Sequence, residues 1–212
     1  MDKKLICFDL DGTLTAQSTW EAFNTALGIS VEDDQRLFLQ YKEGSLEYGD
    51  WITELMRLYK EHPPVTRTDI EQIATTIAPR PESQKAIEDA KAKGYHIIAI
   101  AGAVDVMAQS LATRLGIEEL FTANKAVFNE NDELITIEDS GHERDAKLSL
   151  LKQYCDTNGY TLSEVICVGD GGNDLEIFKN AKGVLLGDNK DLAPIAWKQI
   201  HSLSELNDLL GI

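Results

Sequence analysis

The sequence has little positive charge. Its 212 residues include 20 Lys and Arg against 36 Asp and Glu, which gives a formal net charge of −16. Because nucleic acids and anionic membranes are bound by clustered cations, this balance argues against both as partners. Any phosphate bound by this chain must therefore meet local positive charge.

Cysteines and long hydrophobic runs are also scarce. The only cysteines are Cys7, Cys155 and Cys167, which are odd in number and lack C-x-x-C spacing, so the sequence suggests neither a disulfide framework nor a zinc site. The apolar run at residues 5–8 is too short for a signal-peptide core, and no stretch approaches the roughly 18 apolar residues of a membrane span. We therefore expect a soluble, cytoplasmic protein.

Short apolar runs alternate with helical patterns that each end at a glycine. This alternation predicts an α/β fold, a Rossmann-like parallel sheet sandwiched by helices, with ligands bound beyond the carboxyl ends of the strands. A turn-rich stretch between apolar flanks predicts a hairpin over residues 124–137. The predicted strands lie at residues 5–8, 96–100, 165–168 and 183–186, and the predicted helices at residues 82–93, 105–115 and 145–158.

The interval from 16 to 78 breaks the alternation, because it is helical throughout. Ser18 and Glu21 have the spacing of a helix capping box, and so do Thr68 and Glu71. An all-helical insertion after the first strand is therefore expected. The predicted domains are a core formed by residues 1–15 and 79–212 and a small helical cap domain formed by residues 16–78.

Two acidic clusters each follow a predicted buried strand. Asp9 and Asp11 are two residues apart, and Gly12 allows the backbone to approach a ligand closely; Asp170 and Asp174 follow a later strand. Alone, the first pair is equally typical of an Asp-Gly turn with solvated acids. Parallel strands, however, bring both clusters to one sheet edge, where four carboxylates would repel each other without a divalent cation. Mg²⁺ is the natural candidate, since it prefers oxygen ligands.

Two weaker signals accompany the acids. Ala101 and Gly102 lie between a predicted strand and the helix that begins near Asp105, where free backbone N–H groups can bind an anion. Lys147 lies in the first turn of another predicted helix, where a buried cation could counter phosphate charge. Taken alone, a helical lysine is usually a solvated surface group.

In order and context, these four elements resemble the motifs of the haloacid dehalogenase-like (HAD) superfamily, within it the phosphoserine-phosphatase-like branch. Residues 8–15, Phe-Asp-Leu-Asp-Gly-Thr-Leu-Thr, resemble the first motif, and residues 169–174, Gly-Asp-Gly-Gly-Asn-Asp, resemble the fourth. Ala101-Gly102 and Lys147 resemble the second and third motifs. The resemblance spans the whole chain, since the helical insertion matches the cap of that branch.

The resemblance implies a Mg²⁺-dependent phosphatase acting on a small phosphorylated metabolite. Asp9 would be the nucleophile that forms an aspartyl phosphate, and Asp11 would be the general acid and base. An aspartate at position 11 is typical of phosphatases and phosphomutases and argues against carbon–halogen chemistry. The implied metal residues are Asp9, Asp11 through its backbone carbonyl, Asp170 and Asp174, and the implied phosphate-binding residues are Gly12, Thr13, Ala101, Gly102, Lys147 and Asn173.

Ala101 departs from the family pattern, which places Ser or Thr directly before the glycine. Losing a hydrogen bond from that hydroxyl to a charged group costs about 1.5–3 kcal/mol, or roughly ten- to a hundredfold in rate. Natural tolerance, a phosphate-binding or regulatory protein with impaired catalysis, and a substituted residue are all compatible with this alanine. The retained acids and Lys147 favour activity, and a phosphomutase is the rival enzyme.

The residues that bind phosphoserine in this branch have no clear counterpart in this sequence. Ser18 stands where a glutamate is expected, with Glu21 one turn later, and Thr53 stands where an arginine is expected, with Arg57 one turn later. We therefore do not predict phosphoserine as the substrate. The sequence leaves the substrate and the oligomeric state open.

Overall fold

The computed structural model describes residues 4–139 and 143–211, without the side chains of residues 143 and 144. Its strands are β1 (Lys4–Phe8), β2 (Tyr95–Val104), β3 (Glu119–Phe128), β4 (Leu134–Asp139), β5 (Ile166–Gly169), β6 (Lys182–Leu186) and β7 (Lys198–Ile200). They form one seven-stranded sheet in the order β4-β3-β2-β1-β5-β6-β7. All neighbouring strands are parallel except β3 and β4, which form the predicted hairpin.

The central strand β1 shows why the sheet is apolar on both faces. Ile6 pairs with β2 on one side and with β5 on the other. Ile6 and Phe8 pack into one hydrophobic cluster, and Leu5 and Cys7 pack into the cluster on the opposite face. A strand that is buried on both faces has a continuous run of apolar residues, and such a run at residues 5–8 predicted β1.

The helices cover the sheet as expected for the α/β class. Helices α5 and α9 contribute to the cluster around Phe8, whereas α7 and α8 contribute to the cluster around Leu5. No helix in the described part of the chain combines the length and hydropathy that a membrane crossing requires. The helices are α1 (Thr19–Ala26), α2 (Val31–Lys42), α3 (Tyr48–Tyr59), α4 (Arg67–Thr76), α5 (Ser83–Ala92), α6 (Asp105–Arg114), α7 (Glu143–Asn158), α8 (Leu175–Asn180) and α9 (Leu206–Leu210).

Helices α1 to α4 occupy the interval predicted to be helical. Leu55 and Ile70 are fully buried in their shared hydrophobic cluster, which also contains Met107 and Leu111 of α6 and Ile137 of β4. The four helices therefore rest on α6 and the hairpin. The division into core and cap domains at residues 16 and 78 stays a prediction.

Two local predictions were wrong. The capping box of α4 uses Thr66 and Asp69, because Thr66 is the extended residue immediately before the helix: its N–H donates to Asp69 Oδ2 at 2.9 Å, and Asp69 N–H donates to Thr66 Oγ1 at 3.3 Å. Strand β2 also runs past residue 100 to Val104, and its pairing with β3 shifts between Ala101 and Val104.

Candidate active site

The first acidic motif begins where β1 ends. Asp9 N–H donates to the carbonyl oxygen of Val168 at 2.9 Å, which keeps the chain against β5 for one residue beyond the strand. The backbone then turns tightly, because the N–H groups of residues 13, 14 and 15 all donate to the Leu10 carbonyl. Asp170 directly follows β5. The parallel sheet therefore brings the two acidic motifs to one edge, as the sequence predicted.

The turn of the first motif packs against the second motif. Gly12 has φ +83°, and a Cβ built on it would lie 2.2 Å from Asp170 Oδ2, so only glycine fits there. The Thr13 hydroxyl donates to Asp170 Oδ1 at 2.9 Å, while its N–H donates to Leu10. The hydroxyl of Thr13 therefore positions Asp170, and the predicted phosphate contact of Thr13 stays a prediction.

Arg80 holds the same turn from outside and was not predicted from the sequence. Its guanidinium group donates to the carbonyl oxygens of Gly12 at 2.7 Å and Thr13 at 3.0 Å. Drawing both carbonyl oxygens toward Arg80 orients the two peptide units of the turn. Arg80 lies between Pro79 and Pro81, and no pattern in that stretch of sequence indicated this contact.

Lys147 is fully buried and joins the two acidic motifs. Its Nζ donates to Asp9 Oδ1 at 2.7 Å and to Asp174 Oδ1 at 2.9 Å. A buried ammonium group requires such partners, since an unpaired charge in the protein interior is very costly. Lys147 is therefore not the solvated surface group that a helical lysine usually is.

Asp9, Asp170 and Asp174 form one group, in which one carboxylate oxygen from each residue lies within 4.8 Å of the others. Burial raises the pKa of Asp9 well above its ordinary value; Lys147 opposes this rise, and the other two carboxylates add to it. Burial also raises the pKa of Asp170, against the hydrogen bond from Thr13. Each shift reflects the cost of negative charge in a crowded, poorly solvated place, a cost that a bound cation would reduce.

The donor set fits Mg²⁺. Asp9 Oδ2 is buried and has no hydrogen-bond partner among the residues that the structure describes, so protein donors do not saturate the Asp9 carboxylate and it can also accept a cation. The three side chains supply only oxygen ligands, which hard divalent cations prefer. Asp174 also accepts a hydrogen bond from Gly171 N–H at 3.3 Å, which orients its carboxylate.

The Asp11 side chain lies outside this three-carboxylate group and is bound by the beginning of α1. Asp11 Oδ2 accepts hydrogen bonds from the Thr19 N–H at 2.9 Å and the Thr19 hydroxyl at 2.6 Å. Thr19 follows Ser18, the N-cap of α1, so its N–H is one of the free donors of a helix start. Sequence reasoning did not predict Thr19, although a hydroxyl residue at a helix start was a usable signal.

The second motif lies at the end of β2, beside β1. Phe8 pairs with Ala99, so Ala101 and Gly102 lie just beyond the part of β2 that pairs with β1, at the same sheet edge as Asp9. The Ala101 side chain is buried among apolar residues. The Gly102 carbonyl accepts hydrogen bonds from Trp20 Nε1 at 2.9 Å and from Asn124 Nδ2 at 2.6 Å. Neither donor was predicted.

A crevice of about 750 Å³ opens over the acidic motifs. On the side of α2 and the segment after it, its lining includes Phe38, Tyr41 and Lys42. Thr53 and Arg57 do not line it: Thr53 donates to the Gly49 carbonyl, and Arg57 pairs with Glu54 and Glu61 on an exposed face of α3. From the two motifs, Asp11, Asp170, Gly171, Gly172 and Asn173 line the crevice.

Comparison with known proteins agrees with this arrangement. A family model described as haloacid dehalogenase-like hydrolase matches residues 3–182. A phosphoserine phosphatase from Methanocaldococcus jannaschii is 26% identical over 179 residues, covering 84% of this chain and 82% of the relative. One from Lactococcus lactis is 25% identical over 182 residues, covering 84% and 81%.

Solved structures share the fold. One, titled as a phospho-aspartyl intermediate analogue of phosphoserine phosphatase, superimposes with a TM-score of 0.83 at 24% identity and covers 99% of both chains. The family model spans most of the chain, including both acidic motifs and Lys147. The chain therefore belongs to the haloacid dehalogenase-like hydrolase family, within which it is similar to phosphoserine phosphatases.

Proposed function

We propose that this chain is a Mg²⁺-dependent phosphatase that hydrolyses a small phosphate monoester through an aspartyl phosphate on Asp9. One observation carries the proposal: buried Lys147 holds one oxygen of Asp9, while the other oxygen has no hydrogen-bond partner among the described residues. A carboxylate nucleophile needs this division, since one oxygen must be oriented and the other must be able to react.

The acidic residues and Lys147 have separate roles in metal binding and phosphoryl transfer. Asp9 and Asp170, with the Asp11 backbone carbonyl, would hold Mg²⁺, and Asp174 would orient that shell. The ion would supply positive charge that offsets the charge of the phosphoryl group. An Asp9 oxygen attacks phosphorus while the bond from phosphorus to the substrate alkoxide breaks. Lys147 neutralises negative charge on Asp9 and on the phosphoryl group throughout.

Asp11 would move the protons. As an acid it gives its proton to the departing alkoxide, and as a base it then takes a proton from the water that attacks the aspartyl phosphate. That attack breaks the bond between phosphorus and Asp9 and releases phosphate. The two hydrogen bonds from Thr19 hold the Asp11 carboxylate at the crevice, where both steps require it.

Backbone groups would bind the phosphoryl oxygens. The N–H groups of Gly12 and Gly102 would bind them at the sheet edge that carries Asp9, together with Asn173, which lines the crevice. Ala101 contributes no hydroxyl, so the backbone must carry a larger share of the binding. We expect a slower enzyme than one with Ser or Thr at this position.

The substrate we propose is a small metabolite other than phosphoserine. A crevice of about 750 Å³ is large enough for a small phosphorylated molecule. The relatives are named phosphoserine phosphatases, but here Ser18 caps α1 and Arg57 is paired on an exposed face away from the crevice. Initial rates on a panel of phosphorylated metabolites that includes phosphoserine test this directly. Phosphoserine as the best substrate would contradict the proposal.

The enzymatic claim is tested with p-nitrophenyl phosphate, first with Mg²⁺ and then with EDTA. We expect metal-dependent release of p-nitrophenol that Asp9→Asn abolishes. No release above the Asp9→Asn control would favour a phosphate-binding or regulatory protein. A phosphomutase would instead isomerise a sugar phosphate, given a sugar-bisphosphate activator, without net release of phosphate.

A further inference from the structure

Strand β2 is irregular where the second motif lies. Residues 98 to 101 pair in register with β3, pairing resumes at Val104 opposite Asn124, and Gly102 and Ala103 fall in the register shift between them. Such irregularities interrupt the strand ladder, so the backbone groups inside them need other partners. Gly102 is also the residue type with the greatest backbone freedom. Something besides the sheet must therefore hold this peptide.

Asn124 forms the first of two side-chain hydrogen bonds to the Gly102 carbonyl. Its side chain is fully buried, and Nδ2 donates to the Gly102 carbonyl at 2.6 Å. Its Oδ1 accepts a hydrogen bond from the Tyr48 hydroxyl at 2.8 Å. Because the Gly102 carbonyl can only accept, Nδ2 must face Gly102, and the Tyr48 hydroxyl then holds the opposite side of the amide in place.

Trp20 of α1 donates the second hydrogen bond to the same carbonyl oxygen. Its indole ring packs edge-on against Trp51 of α3, with ring centroids 4.8 Å apart. Tyr48 also lies on α3. Both lone pairs of the Gly102 oxygen are thus held by contacts that depend on helices inserted after the first strand.

We propose that Trp20, Asn124 and Tyr48 are positioning residues that hold the Gly102 backbone in the conformation that binds phosphate. This inference rests on the proposed function. Two donors on one carbonyl fix the plane of the 102–103 peptide, which restricts ψ of Gly102 and thereby the orientation of the Gly102 N–H relative to this held peptide. A backbone fixed in advance binds an anion more tightly, because less freedom is lost on binding. With Ala101 lacking a hydroxyl, this effect carries more of the affinity.

The test uses Tyr48→Phe and Trp20→Phe, which remove single donors and retain an aromatic ring. Tyr59→Phe is the matched control: Tyr59 is also buried in the cluster of α1 to α4, and its hydroxyl donates to the Asn24 side chain instead. Calorimetry measures binding of inorganic phosphate with saturating Mg²⁺, and urea unfolding measures stability.

We expect Tyr48→Phe and Trp20→Phe each to weaken phosphate binding about three- to tenfold, as loss of one neutral hydrogen bond predicts. kcat/KM on p-nitrophenyl phosphate should fall in parallel. Tyr59→Phe should lower stability about as much as Tyr48→Phe and leave phosphate affinity unchanged. Wild-type affinity in both test variants, or an equal loss in Tyr59→Phe, would overturn the inference.

This design separates the two proposals. A wild-type protein that binds phosphate without hydrolysing p-nitrophenyl phosphate would refute the proposed function, and the positioning effect would still be decided by calorimetry. Hydrolysis by the wild type with no selective loss in Tyr48→Phe and Trp20→Phe would refute the positioning role alone. A wild type that binds no phosphate would overturn both.

Discussion

Replacing Lys147 with Met is the most direct test of the site's electrostatics. Methionine keeps the length of the side chain and removes its charge and donors. The side chains of Lys147, Asp9 and Asp174 are at most 5% exposed, so the substitution leaves two buried carboxylates without their cation. Removing one partner of a buried ion pair costs about 3–5 kcal/mol.

The cost can be converted into a melting temperature. At about 2.1 cal/mol/K per residue, the unfolding entropy of 212 residues is about 0.45 kcal/mol/K. A loss of about 3–5 kcal/mol therefore lowers the melting temperature by about 7–11 °C. The measurement is thermal unfolding in EDTA, so that no bound divalent ion supports the carboxylates.

Lys85→Met is the matched control. Lys85 Nζ lies 2.8 Å from Asp89 Oδ2, much like the 2.7 Å contact between Lys147 and Asp9, but the Lys85 side chain is 74% exposed. Exposed pairs contribute about 0.2–1 kcal/mol, which corresponds here to a shift of roughly 2 °C or less. If Lys147→Met melts within about 2 °C of Lys85→Met, the buried ammonium group does not hold the site together and the reasoning is refuted.

Three further predictions concern the phosphate site, the metal site and the helical insertion. Ala101→Ser should raise kcat/KM on p-nitrophenyl phosphate roughly tenfold; an unchanged or lower rate would show that the alanine is no handicap. Gly12→Ala should weaken Mg²⁺ binding, measured by calorimetry, because its Cβ would lie 2.2 Å from Asp170 Oδ2, whereas Gly94→Ala has a similar φ of +80° with nothing within 4 Å and should leave Mg²⁺ affinity intact. Leu55→Ala, at a fully buried position, should lower the free energy of unfolding in urea by about 2–5 kcal/mol; a loss below about 1 kcal/mol would show a loosely packed cluster.

The carboxylate arrangement was largely predictable from the sequence. Asp9 and Asp170 each follow a short apolar run, and parallel strands necessarily bring their carboxyl ends to one edge. The position of Gly12 after an acidic pair indicated a close backbone approach, and the structure identifies the approaching group as the Asp170 carboxylate. Local order along the chain was sufficient for these inferences.

Other residues depended on contacts that no local pattern encodes. Arg80 reaches the turn of the first motif across 68 positions of sequence, and Asn124 reaches Gly102 across 22. Thr13 looked like a phosphate ligand by motif, yet its hydroxyl is engaged with Asp170. Each assignment depends on which distant element packs alongside.

By itself the sequence determined the strand and helix alternation, the helical interval, and the acids that meet at the sheet edge, because hydrophobic periodicity and strand-end chemistry are local properties. Only the tertiary structure decided that Lys147 is a buried bridge, that Asp11 is held by Thr19, and that Gly102 is held by Trp20 and Asn124. The physical reason is that burial, and the hydrogen bonds that make burial tolerable, arise from packing between segments that are distant in the chain.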